Sequence, residues 1–361
     1  MTAAQAGTNQ QVLAGAGPAG PPGQGGPAGA AARTSRLGSS SLAFRILRQR
    51  ETGIVLVGLL MFVVFSVLSN GTFDSVENWG GITSTAAELG IVTIGVALLM
   101  ICGEFDLSVG ANFSFAALVM ATMIQDHYPP GAALVVALAI GAGIGLLNGL
   151  VTVTLDIPSF ITTLGAFFLW TGVTLIVTGG ETVTILPPTP ALLNVLGGML
   201  GSQIRSELLW WLGLAVVVGV VLQRTVTGNW FFAVGGKRLA AVEAGVPVTR
   251  TRVLAFVICG LFAAFAGAVQ LGHLDSMSAS FGTTYQLEAI AASVVGGCAL
   301  MGGRGSMLGA VVGTLILAML DSGLILSGVS PYWYEAVVGV ILVAAVAMHT
   351  RVGQLVSGAG A

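Results

Sequence analysis

Charge is scarce in this chain. Asp, Glu, Lys and Arg together make up 8% of its 361 residues, where a soluble protein carries about 25%. Fifteen acidic against thirteen basic side chains leave a net charge of −2, which excludes a nucleic-acid binder held by a basic surface. So few polar side chains cannot cover a soluble globule of this length, and a soluble enzyme is excluded with it. The three cysteines, Cys102, Cys259 and Cys298, show no C-x-x-C spacing and lie in or at the ends of apolar runs. They read as small buried hydrophobes rather than a disulfide framework. The three histidines, His127, His273 and His349, are scattered, without H-E-x-x-H or Cys/His zinc spacing. His273 and Asp275 leave two readings open, a metal-ligand pair or an ordinary loop pair. No G-x-S-x-G nucleophile turn is present. Gly235-Gly236-Lys237 fails as a phosphate loop, because Phe231 stands where its first glycine belongs and Arg238 where Ser or Thr belongs.

What is abundant is apolar: 55% of residues are hydrophobic and 53 are glycine. The chain therefore reads as a polytopic, all-α membrane protein. Residues 1–45 are Gly-, Ala- and Pro-rich without apolar periodicity, so they cannot offset their chain entropy and are expected to be a disordered cytoplasmic tail. They also lack the charged start and apolar core of a signal peptide. Residues 46–350 alternate long apolar runs with short polar breaks, and 351–361 form a short cytoplasmic tail. Spanning about 30 Å of hydrocarbon takes roughly 20 helical residues. Ten runs qualify as candidate spans: 52–69, 86–102, 107–124, 131–152, 159–178, 208–222, 251–271, 287–302, 306–326 and 332–348. The sixth is short for a full crossing, and only GEFD splits the second from the third.

Charge placement supports ten crossings. With both termini cytoplasmic, Arg33, Arg36, Arg45, Arg48 and Arg50 precede the first span. Arg224, Lys237, Arg238, Arg250 and Arg252 fall in or at the edge of the long inner loop 223–250, with Arg304 and Arg351 also inside. Only Arg205 is outside, which is the asymmetry the positive-inside rule predicts.

Glycines recur every fourth residue at Gly141, Gly145 and Gly149 and again at Gly305, Gly309 and Gly313. At that spacing they let helix backbones approach closely in lipid. The break Gly103-Glu104-Phe105-Asp106-Leu107-Ser108-Val109-Gly110 sets two carboxylates between spans. One reading is an interrupted helix beside a polar path, with Glu104, Asp106 and Ser108 lining it. The other is that Asp106 and Ser108 only cap the helix that follows. A second break, Gly302 to Gly309, shares its Gly-x6-Gly-Ala frame, a faint internal repeat of the kind found in transporters. Pro158 suits the first turn of a span, and Thr162 and Thr163 beyond it either line a path or bond back to the preceding turn. In the inner loop, Arg238 to Ala244 reads as a short helix stopped by Gly245 and Pro247. Seven residues do not hold a helix alone in water, so it must lie against its own bundle or a partner.

Four segments carry a family resemblance: GEFDLSVG at 103–110, IPSFITTLG at 157–165, GNWFFAVGGKRLAAVEAGVPVTRTR at 228–252 and YQLEAIAASVVGGCALMGGRGSMLG at 285–309. From about residue 50 to 348 the chain resembles the permease subunits of ABC importers for simple sugars of the ribose/xylose/galactose type. Glu104 departs from the glycine common there, and Cys298-Ala299-Leu300-Met301 replaces a more polar stretch.

The resemblance implies a bundle of about ten transmembrane helices, some broken, of the type II ABC importer permease kind, in the bacterial cytoplasmic membrane. It implies no cofactor and no nucleotide on this chain, ATP being bound by partner ATPase subunits. It further implies an extracytoplasmic sugar-binding protein and a second permease copy, identical or a close paralogue. Lys237, Arg238, Glu243, Ala244 and Gly245 look like the family's ATPase-coupling helix. Asn112, Asn148, Thr162 and Thr163 stand as candidate polar groups of the pathway. The alternatives are an ion-coupled secondary carrier using Glu104 and Asp106, a channel or membrane scaffold, and an ABC permease for another small solute such as a branched-chain amino acid.

Overall fold

The computed structural model describes residues 50–358. The expected disordered stretch 1–45 and the arginines upstream of residue 50 lie outside the described residues. Thirteen helices carry the described chain: α1 (Arg50–Leu68), α2 (Val76–Ile101), α3 (Val109–Gln125), α4 (Pro130–Thr154), α5 (Ser159–Thr178), α6 (Ala191–Gly197), α7 (Ser206–Arg224), α8 (Val226–Gly236), α9 (Arg238–Glu243), α10 (Val248–Leu274), α11 (Tyr285–Val295), α12 (Met307–Leu326) and α13 (Trp333–Gly358). The sheet content of the described residues is one two-residue antiparallel ladder, β1 (Val183–Thr184) on β2 (Ser276–Met277), pairing Val183 with Met277.

Among the described residues six helices are long and apolar enough to cross a membrane: α2, α4, α5, α7, α10 and α12. Shorter apolar helices cover Gly53–Leu68, α3 and Trp333–Ala344. The short run expected at 208–222 lengthens to the 19 residues of α7. α2 starts at Val76, ten residues before the apolar run, because Ser75 accepts the Asn78 N–H at 3.2 Å and caps a polar first turn. The run expected at 287–302 is not one continuous helix. Helix α11 has only 11 residues, and Gly296 and Gly297 turn the chain before Cys298. The reason lies in packing: a Cβ on Gly296 would strike the backbone of Gly309, so the turn is pressed into α12.

The centre of the bundle is α2, with α10 beside it. From Ala86 to Ile101 every residue of α2 is buried, as expected for a helix apolar on nearly all sides, with Glu88 and Thr93 the polar exceptions. By contrast only 11% of the apolar window of α5 is buried, so α5 stands at the periphery. The glycines of α4 face α10. A Cβ on Gly145 would meet the Phe256 carbonyl, and one on Gly149 would lie 3.1 Å from Val253 Cα. Gly309 and Gly313 press α12 onto Gly296 and Ala292 in the same way. Gly305, expected on that helix, precedes it: Ser306 caps α12 by accepting the Gly309 N–H at 3.0 Å, and Gly305 packs on Cys298 and Ile101 instead. All three cysteines are free and buried.

Non-helical backbone enters the bundle at 102–108 before α3, at 278–284 before α11 and at 296–306 before α12. Non-helical backbone at membrane depth is tolerated only where protein satisfies its polar groups. At the first break it does: the Phe105 and Leu107 N–H groups donate to Ser159 Oγ at 3.1 Å and Thr163 Oγ1 at 3.0 Å.

Candidate functional site

Three glycine turns, far apart in sequence, meet at one end of the bundle. Gly103 follows α2 with a φ of 82°, Gly235 and Gly236 close α8, and Gly302 and Gly303 belong to the turn between α11 and α12. A Cβ on Gly302 would lie 2.7 Å from Gly103 Cα, and one on Gly303 2.6 Å from Gly236 Cα. The Gly303 N–H donates to the Ile101 carbonyl at 2.8 Å. Only glycine fits such backbone-to-backbone approach. The two breaks of the faint sequence repeat are thus neighbours in space, with the end of α8 between them.

The Glu104 carboxylate sits in this knot and is buried. Its Oε1 accepts from Arg252 Nε at 2.6 Å, in the second turn of α10, and from Arg238 Nη2 at 2.8 Å, the first residue of α9. Arg252 is buried with it, whereas the Arg238 side chain is 45% exposed. A buried arginine is tolerated because the carboxylate neutralises it. Glu104 therefore binds the short helix α9 and the central helix α10 to the break after α2.

Two residues on, Asp106 turns inward. Its Oδ1 accepts from the Ser108 N–H at 2.8 Å and the Ser108 hydroxyl at 2.6 Å. Asn148 Nδ2 of α4 reaches Asp106 Oδ2 at 3.3 Å and Ser108 Oγ at 2.8 Å. Ser108 holds the N-cap position of α3 without a capping bond from its side chain, its hydroxyl being given to Asp106. The capping expectation is thus corrected: the pair ties the break to α4. Thr163 Oγ1 donates back to the Ser159 carbonyl at 2.8 Å while accepting from Leu107, the back-bonded alternative. Asn112 Nδ2 donates to the Gly260 and Gly141 carbonyls at 3.1 and 3.3 Å, clamping α10 and α4. Glu104, Asp106, Ser108, Asn112, Asn148 and Thr163 are all buried inside helix contacts here, and only Thr162 is partly open. Two polar atoms in this region lack partners, Asn112 Oδ1 and Thr162 Oγ1.

Helix α9 stops at Glu243, one residue short of the expected Ala244. Gly245, with a φ of 77°, reverses the chain while its N–H bonds the Val242 carbonyl at 2.9 Å. Ala241 packs inward, but Leu239 is 82% exposed and Val242 57%, beside exposed Lys237, Glu243, Ala244 and Gly245. A six-residue helix presenting two large apolar side chains at the bundle's end suits a contact with another protein. The helix is legible in the sequence but its anchor is not, since nothing local pairs Glu104 with Arg252. A cavity of about 690 Å³ lies elsewhere, between α6 and α7. Its lining by Leu200, Leu209, Trp210, Leu214 and Val217 offers little to a solute rich in hydroxyls.

Residues 78–346 match the family described as branched-chain amino acid transport system / permease component. The chain is 34% identical over 302 residues to the xylose/arabinose import permease of Sulfolobus acidocaldarius, covering 81% of this chain and 83% of that one. It is 33% identical over 309 residues to an autoinducer 2 import system permease of an Enterobacter species (86% and 89%). With the ribose import permease of Escherichia coli the identity is 29% over 312 residues (82% and 92%). No solved structure gives a significant match.

Proposed function

The chain belongs to this family of transport-system permease components, and on that premise we propose that it is the membrane subunit of an ATP-driven importer for a simple sugar, a pentose or hexose. The carrying observation is that relatives aligned over four fifths or more of both chains are named for xylose/arabinose and ribose import. The family description names branched-chain amino acids, a second reading, but the relatives' names and the GEFDLSVG break favour sugars. As a permease component it is a transport subunit, with ATP hydrolysis on separate ATPase subunits.

A neutral sugar carries no charge on which the membrane potential can act, so accumulation needs ATP. Helix α9, through Leu239, Val242 and the flanking Lys237, Arg238, Glu243, Ala244 and Gly245, is the surface on which an ATPase subunit docks. Its motion is passed by Arg238 and Glu104 to the break at 103–108. Asn112 Oδ1 and Thr162 Oγ1, without partners in this structure, are the groups a passing hydroxyl would satisfy when the helices part. Asp106, Ser108, Asn148 and Thr163 keep the break in shape. A second permease copy completes the path, and a binding protein delivers the sugar on the far side. On this reading the α9 end faces the cytoplasm, with both termini, an orientation that the clustering of arginines favours. An ion-coupled carrier fits less well, because Glu104 is already neutralised by two arginines.

Reconstituted vesicles test this. Concentrative pentose or hexose uptake is expected only when the chain, its ATPase and its binding protein are present with ATP. Uptake by the chain alone under a proton or sodium gradient would contradict it.

A further inference from the structure

At the other end of α10, three titratable side chains from three helices close on one point. His273 lies 21 residues beyond Arg252, about 32 Å along the helix at about 1.5 Å per residue. Glu88 of α2, Glu207 of α7 and His273 each offer a ligand atom, and these atoms lie within 4.8 Å of one another. His273 Nδ1 is 2.6 Å from Glu88 Oε1 and 3.7 Å from Glu207 Oε2. His273 thus turns toward these carboxylates, and the His273–Asp275 pairing considered from sequence gains no contact.

Both carboxylates are buried, Glu207 completely. Among the described residues no lysine or arginine forms an ion pair with either. The nearby Arg205 donates instead to the Gly197 carbonyl at 2.6 Å. Two carboxylates so close in a poorly solvated interior cannot both stay ionised without positive charge between them, and one imidazole supplies at most one charge.

Unpartnered atoms point the same way independently. Glu207 Oε2 is buried without a hydrogen-bond partner and aims at His273. Gln270 Oε1 is equally orphaned, on a side chain 8% exposed whose Nε2 holds Glu88 Oε2 at 3.1 Å. The other Glu207 oxygen accepts from the Ser84 hydroxyl, and Tyr285 Oη stands 3.5 Å from Glu88 Oε2. The carboxylates are therefore oriented by outer hydrogen bonds, as metal ligands commonly are. The His273 edge remains partly exposed and leaves a way in.

We propose that Glu88, Glu207 and His273 form a binding site for a divalent transition-metal ion. One imidazole nitrogen and two carboxylate oxygens are a donor set that Zn²⁺ takes, with a fourth position left for water. The ion would fasten α2, α7 and α10 together at the end of the bundle opposite α9.

The test uses the full chain in detergent, stripped with chelator, loaded with Zn²⁺, dialysed and assayed for metal by mass spectrometry. The wild type is expected to retain about one Zn²⁺ per chain and to gain thermal stability from it by mass action. Co²⁺ in its place is expected to give the intense visible absorption of a low-coordinate site. Glu207→Gln and His273→Gln are each expected to retain at least about tenfold less, since loss of even an outer-sphere partner costs that much. Wild-type protein that retains no more Zn²⁺ than the variants overturns the site. So does wild type that binds none while its thermal midpoint rises on acidification, which would mean the pair shares protons. Should a variant fail to fold, wild-type retention and the Co²⁺ spectrum decide alone.

Discussion

Glu104 and Arg252 meet at 2.6 Å although 148 positions separate them in sequence. The same carboxylate oxygen takes Arg238 from the exposed helix α9, so one buried anion joins the end of α2, the start of α10 and the surface helix. Removing one partner of a buried pair leaves the other charge uncompensated, at about 3–5 kcal/mol. Glu104→Gln is therefore expected to lower the thermal midpoint strongly in detergent, and Arg238→Ala to cost no more than about 1 kcal/mol, as for a part-exposed pair. Equal effects of the two would show that burial does not set the strength of this junction.

Leu239 and Val242 are exposed apolar side chains on a helix with little else to present. Leu239→Glu with Val242→Glu is expected to abolish ATP-driven uptake in reconstituted vesicles while leaving the thermal midpoint within about 0.5 kcal/mol of wild type, as for surface changes away from special features. Glu243→Lys is expected to act in the same direction. Normal uptake by both variants would remove α9 as the docking surface.

Gly145 and Gly143 lie two residues apart on α4 yet predict opposite outcomes. A Cβ at Gly145 runs into the Phe256 backbone, whereas one at Gly143 meets nothing within 4 Å. Gly145→Val is expected to destabilise by about 3 kcal/mol or more through overpacking, and Gly143→Val to be tolerated. Thermal unfolding of the two purified variants decides it.

The apolar runs of α1, α5, α10 and α12 were legible because a spanning helix must be apolar along its length, and their ends fall within a few residues of the runs. The beginning of α2 was not, since Glu77, Asn78 and Ser84 interrupt the apolar signal while packing elsewhere holds the helix. At 287–302 the apolar run persists through Cys298 to Met301, but hydropathy carries no record of Gly296 meeting Gly309, which stops the helix. The polar residues around the breaks were visible as residue types. Their partners were not, because Glu104 with Arg252 and Asp106 with Asn148 are contacts that only the tertiary fold creates. The Glu88, Glu207 and His273 cluster escaped for the same reason, being drawn from three helices with no shared motif.

The cysteines give a simple check on packing. Burial pushes the Cys298 thiol, in the turn between α11 and α12, from its ordinary 9.0 up to about 12. The thiolate is the reactive form, so raising the pH through the ordinary thiol range is expected to leave Cys298 unlabelled by maleimide. Mass spectrometry of folded protein should find all three cysteines unmodified, and denatured protein should show three adducts. Rapid labelling of Cys298 in the folded chain would contradict its packing against Gly305.

The most direct test concerns which side of the membrane carries α9. Ala240 is exposed on that helix and the native cysteines are buried, so Ala240→Cys gives a clean target. With a membrane-impermeant maleimide, labelling is expected in inside-out vesicles or permeabilised cells and absent in intact cells. Labelling of intact cells at position 240 would place α9 outside, away from any ATPase, and contradict an ATP-driven permease coupled through it.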